Sequence, residues 1–174
     1  MILLEKINEN SYKLIKQNMI KNLAEALIQT KKAKALTAID LAEKELNNIL
    51  TEGIKTKNHN LYIIKNNSQK IGYLWYFIIT HNKATFPFVM DINIDEKYKN
   101  KGYGKQTMIL LEKEIINLGY NKIRLHVLLS NTIAYNMYKH LNYKTIKRID
   151  GGEILEKKLS ASFQGDLNMY AHTL

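Results

Sequence analysis

The chain has 174 residues, of which 45% are apolar and 24% charged, enough for one hydrophobic core and too few for two comfortable domains. It has no cysteine, which excludes disulfides, thiolate metal sites and thiol nucleophiles. Its formal net charge of +10 rests almost wholly on lysines spread along the chain, with Arg124 and Arg148 the only arginines. A nucleic-acid surface would cluster its cations and favour arginine forks, so no nucleic-acid partner is expected. The charge reads as compositional bias, except that Lys97, Lys99, Lys101 and Lys105 form one local cluster suited to a polyanionic ligand. The apolar run over 71–79 is too short to span a bilayer, and residues 1–6 lack the pattern of a secretory signal, so a cytoplasmic protein without membrane partners is the expectation.

In chain order, residues 2–7 suit a short strand. Leu14, Ile15, Met19, Leu23 and Leu27 recur at helical spacing and predict a helix over 11–29. Thr37 and Asp40 resemble a helix-start cap before Ile39, Ala42, Leu46, Ile49 and Leu50, and that helix should end near Gly53. The period then changes. Strands are predicted over 61–65, 70–80 and 86–94, joined by Asn66-Asn67-Ser68 and His81-Asn82-Lys83 turns, as an antiparallel meander. Tyr73, Trp75 and Phe77 alternate on one of these strands, either as core or as the lining of a pocket.

From Gly104, Met108, Leu111, Ile115 and Leu118 form a helical stripe that Gly119 should stop. Strand follows at 122–128, helix at 131–141, strand at 143–149 and a turn at Asp150-Gly151-Gly152. Residues 153–165 fit no element well, and a last strand is placed within 167–174. The fold class is α+β, with a mixed sheet and strand–helix–strand units in the second half.

The chemistry concentrates in residues 91–143. A strand ending at Ile94 leads into a polar loop, Lys99-Asn100-Lys101-Gly102-Tyr103-Gly104-Lys105, and then a helix. A helix N-terminus offers unpaired amides and partial positive charge, and glycines there let backbone approach a phosphate. A plain strand-to-helix turn would also use glycine. The spacing is not that of a Walker loop, and Thr107 stands where a dinucleotide fingerprint needs its third glycine. Downstream, Asn131, Ala134 and Tyr138 share one helical stripe, with Ile133, Met137 and Leu141 on a neighbouring stripe assigned to the core. Asn142 stands where a helix ends in a left-handed turn.

Lys99 to Gly104 resembles the coenzyme A signature of the GNAT acetyltransferase superfamily, Gln/Arg-x-x-Gly-x-Gly/Ala, with lysine at its first position. Residues 131–143 resemble the family's Asn-x-x-Ala-x-x-x-Tyr-x-x-x-Gly-Phe/Tyr segment, with Asn142 in place of glycine. The resemblance implies a mixed, mostly antiparallel sheet of about six to seven strands flanked by helices, with two central strands splayed apart. It implies one acetyltransferase domain over 1–174: an acceptor-side helical region over 1–55, a coenzyme A-binding core over 60–149 and a C-terminal strand region over 150–174. Acetyl-CoA would be a co-substrate, and no metal is called for. Its pantetheine arm would pair with Ile92, Asn93 and Ile94, and its pyrophosphate would meet Lys99, Asn100, Lys101, Gly102, Tyr103, Gly104 and Lys105. Asn131 would lie near the pantetheine and Tyr138 near the sulfur, as proton donor to the leaving thiolate. Asp91 and His126 are the candidate bases, and the acceptor would be a small-molecule or protein amine attacking directly in a ternary complex. A homodimer is left open. The competing function is an acyl-CoA sensor without efficient catalysis.

Overall fold

The computed structural model describes residues 1–149 and 151–160. Its elements are β1 (Ile2–Lys6), α1 (Glu9–Gln29), α2 (Ala38–Ile49), β2 (His59–Asn66), β3 (Gln69–His81), β4 (Ala84–Ile94), α3 (Tyr103–Asn117), β5 (Lys122–Leu128), α4 (Thr132–His140), β6 (Lys144–Ile149) and β7 (Gly152–Lys158). The strands form one seven-stranded sheet in the order β1-β2-β3-β4-β5-β7-β6. The expected strand within 167–174 lies outside the described residues.

Local chemistry sets the boundaries. The Asn8 side chain accepts from the Ser11 amide and starts α1, whose inward face is Tyr12, Ile15, Met19, Ile20, Ala24 and Leu27. Thr37 precedes α2 but makes no side-chain cap, so the expected capping box is absent. Asn67, Asn82 and Lys83 adopt positive φ in the hairpin turns of the β2–β3–β4 meander. Leu118 ends α3 and is 56% exposed, so it is not part of the buried stripe of Met108, Leu111 and Ile115. Asn142 takes φ +65° after α4, as its position predicts.

Two apolar clusters hold the sheet. On one face, Tyr62, Ile64, Leu74, Tyr76, Val89, Ile123, Leu125 and Val127 pack with Met108, Leu111 and Ile115 of α3 and Tyr138 of α4. On the other, Leu61, Ile63, Tyr73 and Trp75 pack under α1 and α2. Residues 153–158, which fit no element by sequence, form β7, inserted antiparallel between β5 and β6. The strand's Lys157 is buried and pairs with Glu112 of α3 at 2.7 Å.

Two features of β4 open the sheet. Its register against β3 shifts between Trp75 and Tyr76: Tyr76 opposes Val89 and Trp75 opposes Asp91, leaving Met90 as a bulge. Its parallel pairing with β5 covers only Phe88 with Arg124 and Val89 with Leu125. Beyond Val89 the two strands part, giving the expected splayed pair.

Candidate active site

The parting of β4 from β5 opens a cleft of about 770 Å³. Its walls are residues 89–94 of β4, residues 125–128 of β5, the loop leading into α3, one side of α4, and Asn22, Glu25, Ala26 and Gln29 of α1. On the cleft side, β4 past Val89 has no strand partner among the described residues, so its backbone polar groups face the space an extended ligand would fill.

At one end lies the glycine loop. Asn100 has φ +60° and Gly102 φ +75°, so the chain turns twice through the left-handed region before α3. Gly102 is the N-cap residue of α3, with no side-chain cap and no acid in the first turn. The Tyr103 and Gly104 amides therefore present the positive end of the helix to the cleft. A Cβ on Gly104 would stand 3.3 Å from Met137 Sδ, so glycine lets α3 and α4 approach closely. Lys99, Asn100, Gly102, Tyr103, Gly104 and Lys105 line the cleft. Lys101 is not among the lining residues: it is exposed, with its ammonium 5.8 Å from the Tyr98 ring. Lys99 pairs with Glu96 at 2.6 Å, an exposed contact that a phosphate could displace.

Tyr138 reaches the cleft from the α3/α4 face. It is 5% exposed, stands edge-on to Tyr143, and its hydroxyl hydrogen-bonds no described residue. Burial, then the nearby Asp91 charge, push its hydroxyl well above the ordinary tyrosine range. Asn131 also lines the cleft, but its Oδ1 accepts from the Ala134 amide at 3.1 Å and caps α4. Ile133, assigned to the core by spacing, is 72% exposed in the first turn of α4.

Asp91 faces the cleft from the opposite side, under α1. Tyr73 donates to its Oδ2, and Asn22 Nδ2 lies 3.4 Å from the same oxygen. Asn22 also donates to the Tyr73 hydroxyl at 2.9 Å. Burial raises the Asp91 carboxyl above the usual carboxylate range, against the opposing pull of Tyr73, Asn22 and the Ile92 amide. His126 lines the cleft too. Its Nε2 lies 3.4 Å from the Ile149 carbonyl, and it is packed so closely on Gly152 that an added Cβ there would come within 2.5 Å of Nε2. No sequence pattern singled out Asn22. The alternation of Tyr73 pointed to the core, and Tyr73 is core, yet its hydroxyl ends in the site. Among the described residues no group of three His, Asp or Glu side chains is placed to hold a metal ion, and no helix is long and apolar enough to cross a membrane.

Comparison with known proteins agrees with this geometry. A sequence model of the Acetyltransferase (GNAT) family matches residues 27–143. The uncharacterized N-acetyltransferase YycN of Bacillus subtilis is 29% identical over 105 residues, 60% of this chain and 67% of YycN. The crystal structure of YycN superposes with a TM-score of 0.80 at 23% identity, covering 86% of this chain and 96% of that one. A spermidine N-acetyltransferase from Vibrio cholerae, solved with CoA and spermine, shares the fold at a TM-score of 0.68 and 16% identity, over 93% and 98% of the two chains. With its family signature spanning most of the sequence and its sheet parted at the cleft, the chain belongs to the GNAT family of acetyltransferases.

Proposed function

We propose that the chain moves the acetyl group of acetyl-CoA to a primary amine, by direct attack within a ternary complex. The observation that carries this reading is the cleft itself. An unpaired strand edge, a helix N-terminus, a tyrosine hydroxyl with no described partner and a partly buried carboxylate all border the same space. These groups suit the parts of acetyl-CoA in order. The open edge at Ile92, Asn93 and Ile94 matches the amides of a pantetheine arm, and the loop over 99–105 matches a pyrophosphate.

The amine enters from the α1 side, where Asn22, Glu25, Ala26 and Gln29 form the wall. An alkylamine, with a pKa of about 10.4, must lose a proton before it can attack. Asp91 takes that proton, directly or through one water, and its raised pKa brings a carboxylate nearer the pH at which a base works well. His126 is the weaker candidate because the Ile149 carbonyl at the end of β6 already lies 3.4 Å from its Nε2. The amine nitrogen bonds to the thioester carbonyl carbon, the C–S bond breaks, and the thiolate leaves. A thiol has a pKa of about 8.5, well below that of the buried Tyr138. Tyr138 therefore steadies the thiolate by donating a hydrogen bond rather than by giving up its proton. After attack the nitrogen carries a second surplus proton, and this one passes through water to the departing sulfur, while the first stays on Asp91 until solvent removes it.

The test is an acceptor screen that follows thiol release from acetyl-CoA across spermidine, other small amines and peptides with free N-termini. Turnover of at least one amine is expected. Tight acetyl-CoA binding with no turnover of any amine would instead make this an acyl-CoA sensor.

A further inference from the structure

We infer that Asn22 of α1 and Tyr73 of β3 are positioning residues for Asp91: they fix its carboxylate and set the pH at which it can accept a proton. Their role rests on the reading of Asp91 as base. Three side chains from three elements meet at one oxygen. Tyr73, 1% exposed, donates to Asp91 Oδ2. Asn22 Nδ2 donates to the Tyr73 hydroxyl at 2.9 Å, lies 3.4 Å from Asp91 Oδ2 and 3.5 Å from Asn93 Oδ1. Both of these donors converge on Oδ2, which leaves Oδ1 as the oxygen turned to neither. The arrangement ties the base to α1, the helix that walls the acceptor side.

The chemistry gives the direction. A partly buried carboxylate resists ionisation, and each donor to its charged form offsets that resistance. Tyr73 is itself pushed far up by burial and by Asp91, so it stays a neutral donor throughout the working range. The other titratable groups bordering the space are Glu25 of α1, His126 of β5, Tyr138 of α4, Tyr103 at the start of α3, and Tyr98, Lys99 and Lys105 around the loop, with Asp95 acting on Tyr73. Tyr73 and Asn22 are the side chains whose polar hydrogens come within bonding reach of the Asp91 carboxylate, beside the backbone amide of Ile92.

The experiment reads the carboxyl directly. Protein labelled with carbon-13 at aspartate side-chain carboxyls is titrated by NMR, and Asp91→Asn assigns the resonance. Tyr73→Phe should move the Asp91 midpoint up by about one pH unit. Asn22→Ala should move it less and Asn22→Asp, which adds a like charge, more. In the same variants the acidic limb of kcat/KM, measured with the amine turned over fastest, should move in step, while acetyl-CoA affinity holds. Unmoved midpoints in Asn22→Ala and Tyr73→Phe would overturn the inference, as would a uniform loss of rate at every pH. Should Tyr73→Phe fail to fold, the two Asn22 variants carry the test. Shifted midpoints with an unmoved limb, and full activity in Asp91→Asn, would also overturn it, and would locate the failure in the choice of Asp91 as base.

Discussion

Gly102 offers the sharpest separation of backbone from charge at the proposed phosphate site. It sits at φ +75° and ψ 2°, where a side chain costs about 1–2 kcal/mol. A Cβ added there would have only Gln106 Nε2 within reach, at 4.0 Å, so nothing collides. Gly102→Ala should therefore lower Tm by about 2–8 °C for a chain of this size and leave most acetyl-CoA affinity in place. Gly102→Glu carries the same backbone strain and adds a carboxylate facing the pyrophosphate. At roughly 4–8 Å and an effective dielectric of about 20, that repulsion is about 2–4 kcal/mol, or roughly 30- to 1000-fold in Kd. Titration calorimetry on the two variants isolates the charge, because their strain cancels. The deficit of the Glu variant should shrink as salt rises. Equal affinity in the two variants would show that the pyrophosphate does not lie at this helix start.

Other consequences can be checked with standard variants. Tyr138→Phe removes a hydroxyl with no described hydrogen-bond partner but keeps the edge contact with Tyr143, so stability should change by less than about 0.5 kcal/mol. Its kcat should fall about 100-fold in steady-state assays, and an unchanged kcat would remove Tyr138 from the chemistry. Asp91 has a folded pKa raised by burial, so its contribution to stability is full below its unfolded pKa and is lost as pH rises through the folded value. Asp91→Asn should therefore match or exceed the wild-type Tm at pH 7 while activity drops, with the Tm gain vanishing in acid; a Tm deficit that grows with pH would contradict this. Lys157→Met leaves Glu112 buried without its ion-pair partner and should cost about 3–5 kcal/mol by urea unfolding, most of it recovered by adding Glu112→Leu.

Much of the fold and part of the site could be read before the structure. Asparagine turns marked the meander, apolar stripes marked α1 and α3, and the glycine loop with the Asn131–Tyr138 spacing marked the cleft. What escaped notice had physical causes. The alternation of β7 is hidden because Glu153 and Lys157 look like surface residues yet are buried, Lys157 through its pairing with Glu112 of α3. Ile133 has core spacing with Met137 and Leu141, but it lies in the first turn of a short helix, where that face has already left the core. Asn22 is a polar position on an amphipathic helix, which ordinarily means solvent. Its role depends on α1 crossing over the parted strands, a long-range fact that no local pattern records.

The bulge at Met90 explains why Asp91 faces α1 at all. Side chains alternate along a strand, so residues 89 and 91 would normally share a face. Val89 opposes Tyr76 and packs toward α3, whereas Asp91 opposes Trp75 and belongs to the face covered by α1. The extra residue inverts the alternation at the point where β5 stops pairing with β4. One irregularity thus coincides with both halves of the site. Beyond Val89 the strand edge opens onto the cleft, and one face holds the carboxylate against Tyr73 and Asn22 while Tyr138 approaches from the other. In regular register the carboxylate would point into the cluster around Met108 and Leu111, away from Tyr73 and Asn22, and burying its charge there would cost several kcal/mol. The bulge therefore sets which face of β4 carries Asp91, and Met90, 37% exposed, occupies the position that makes the inversion possible.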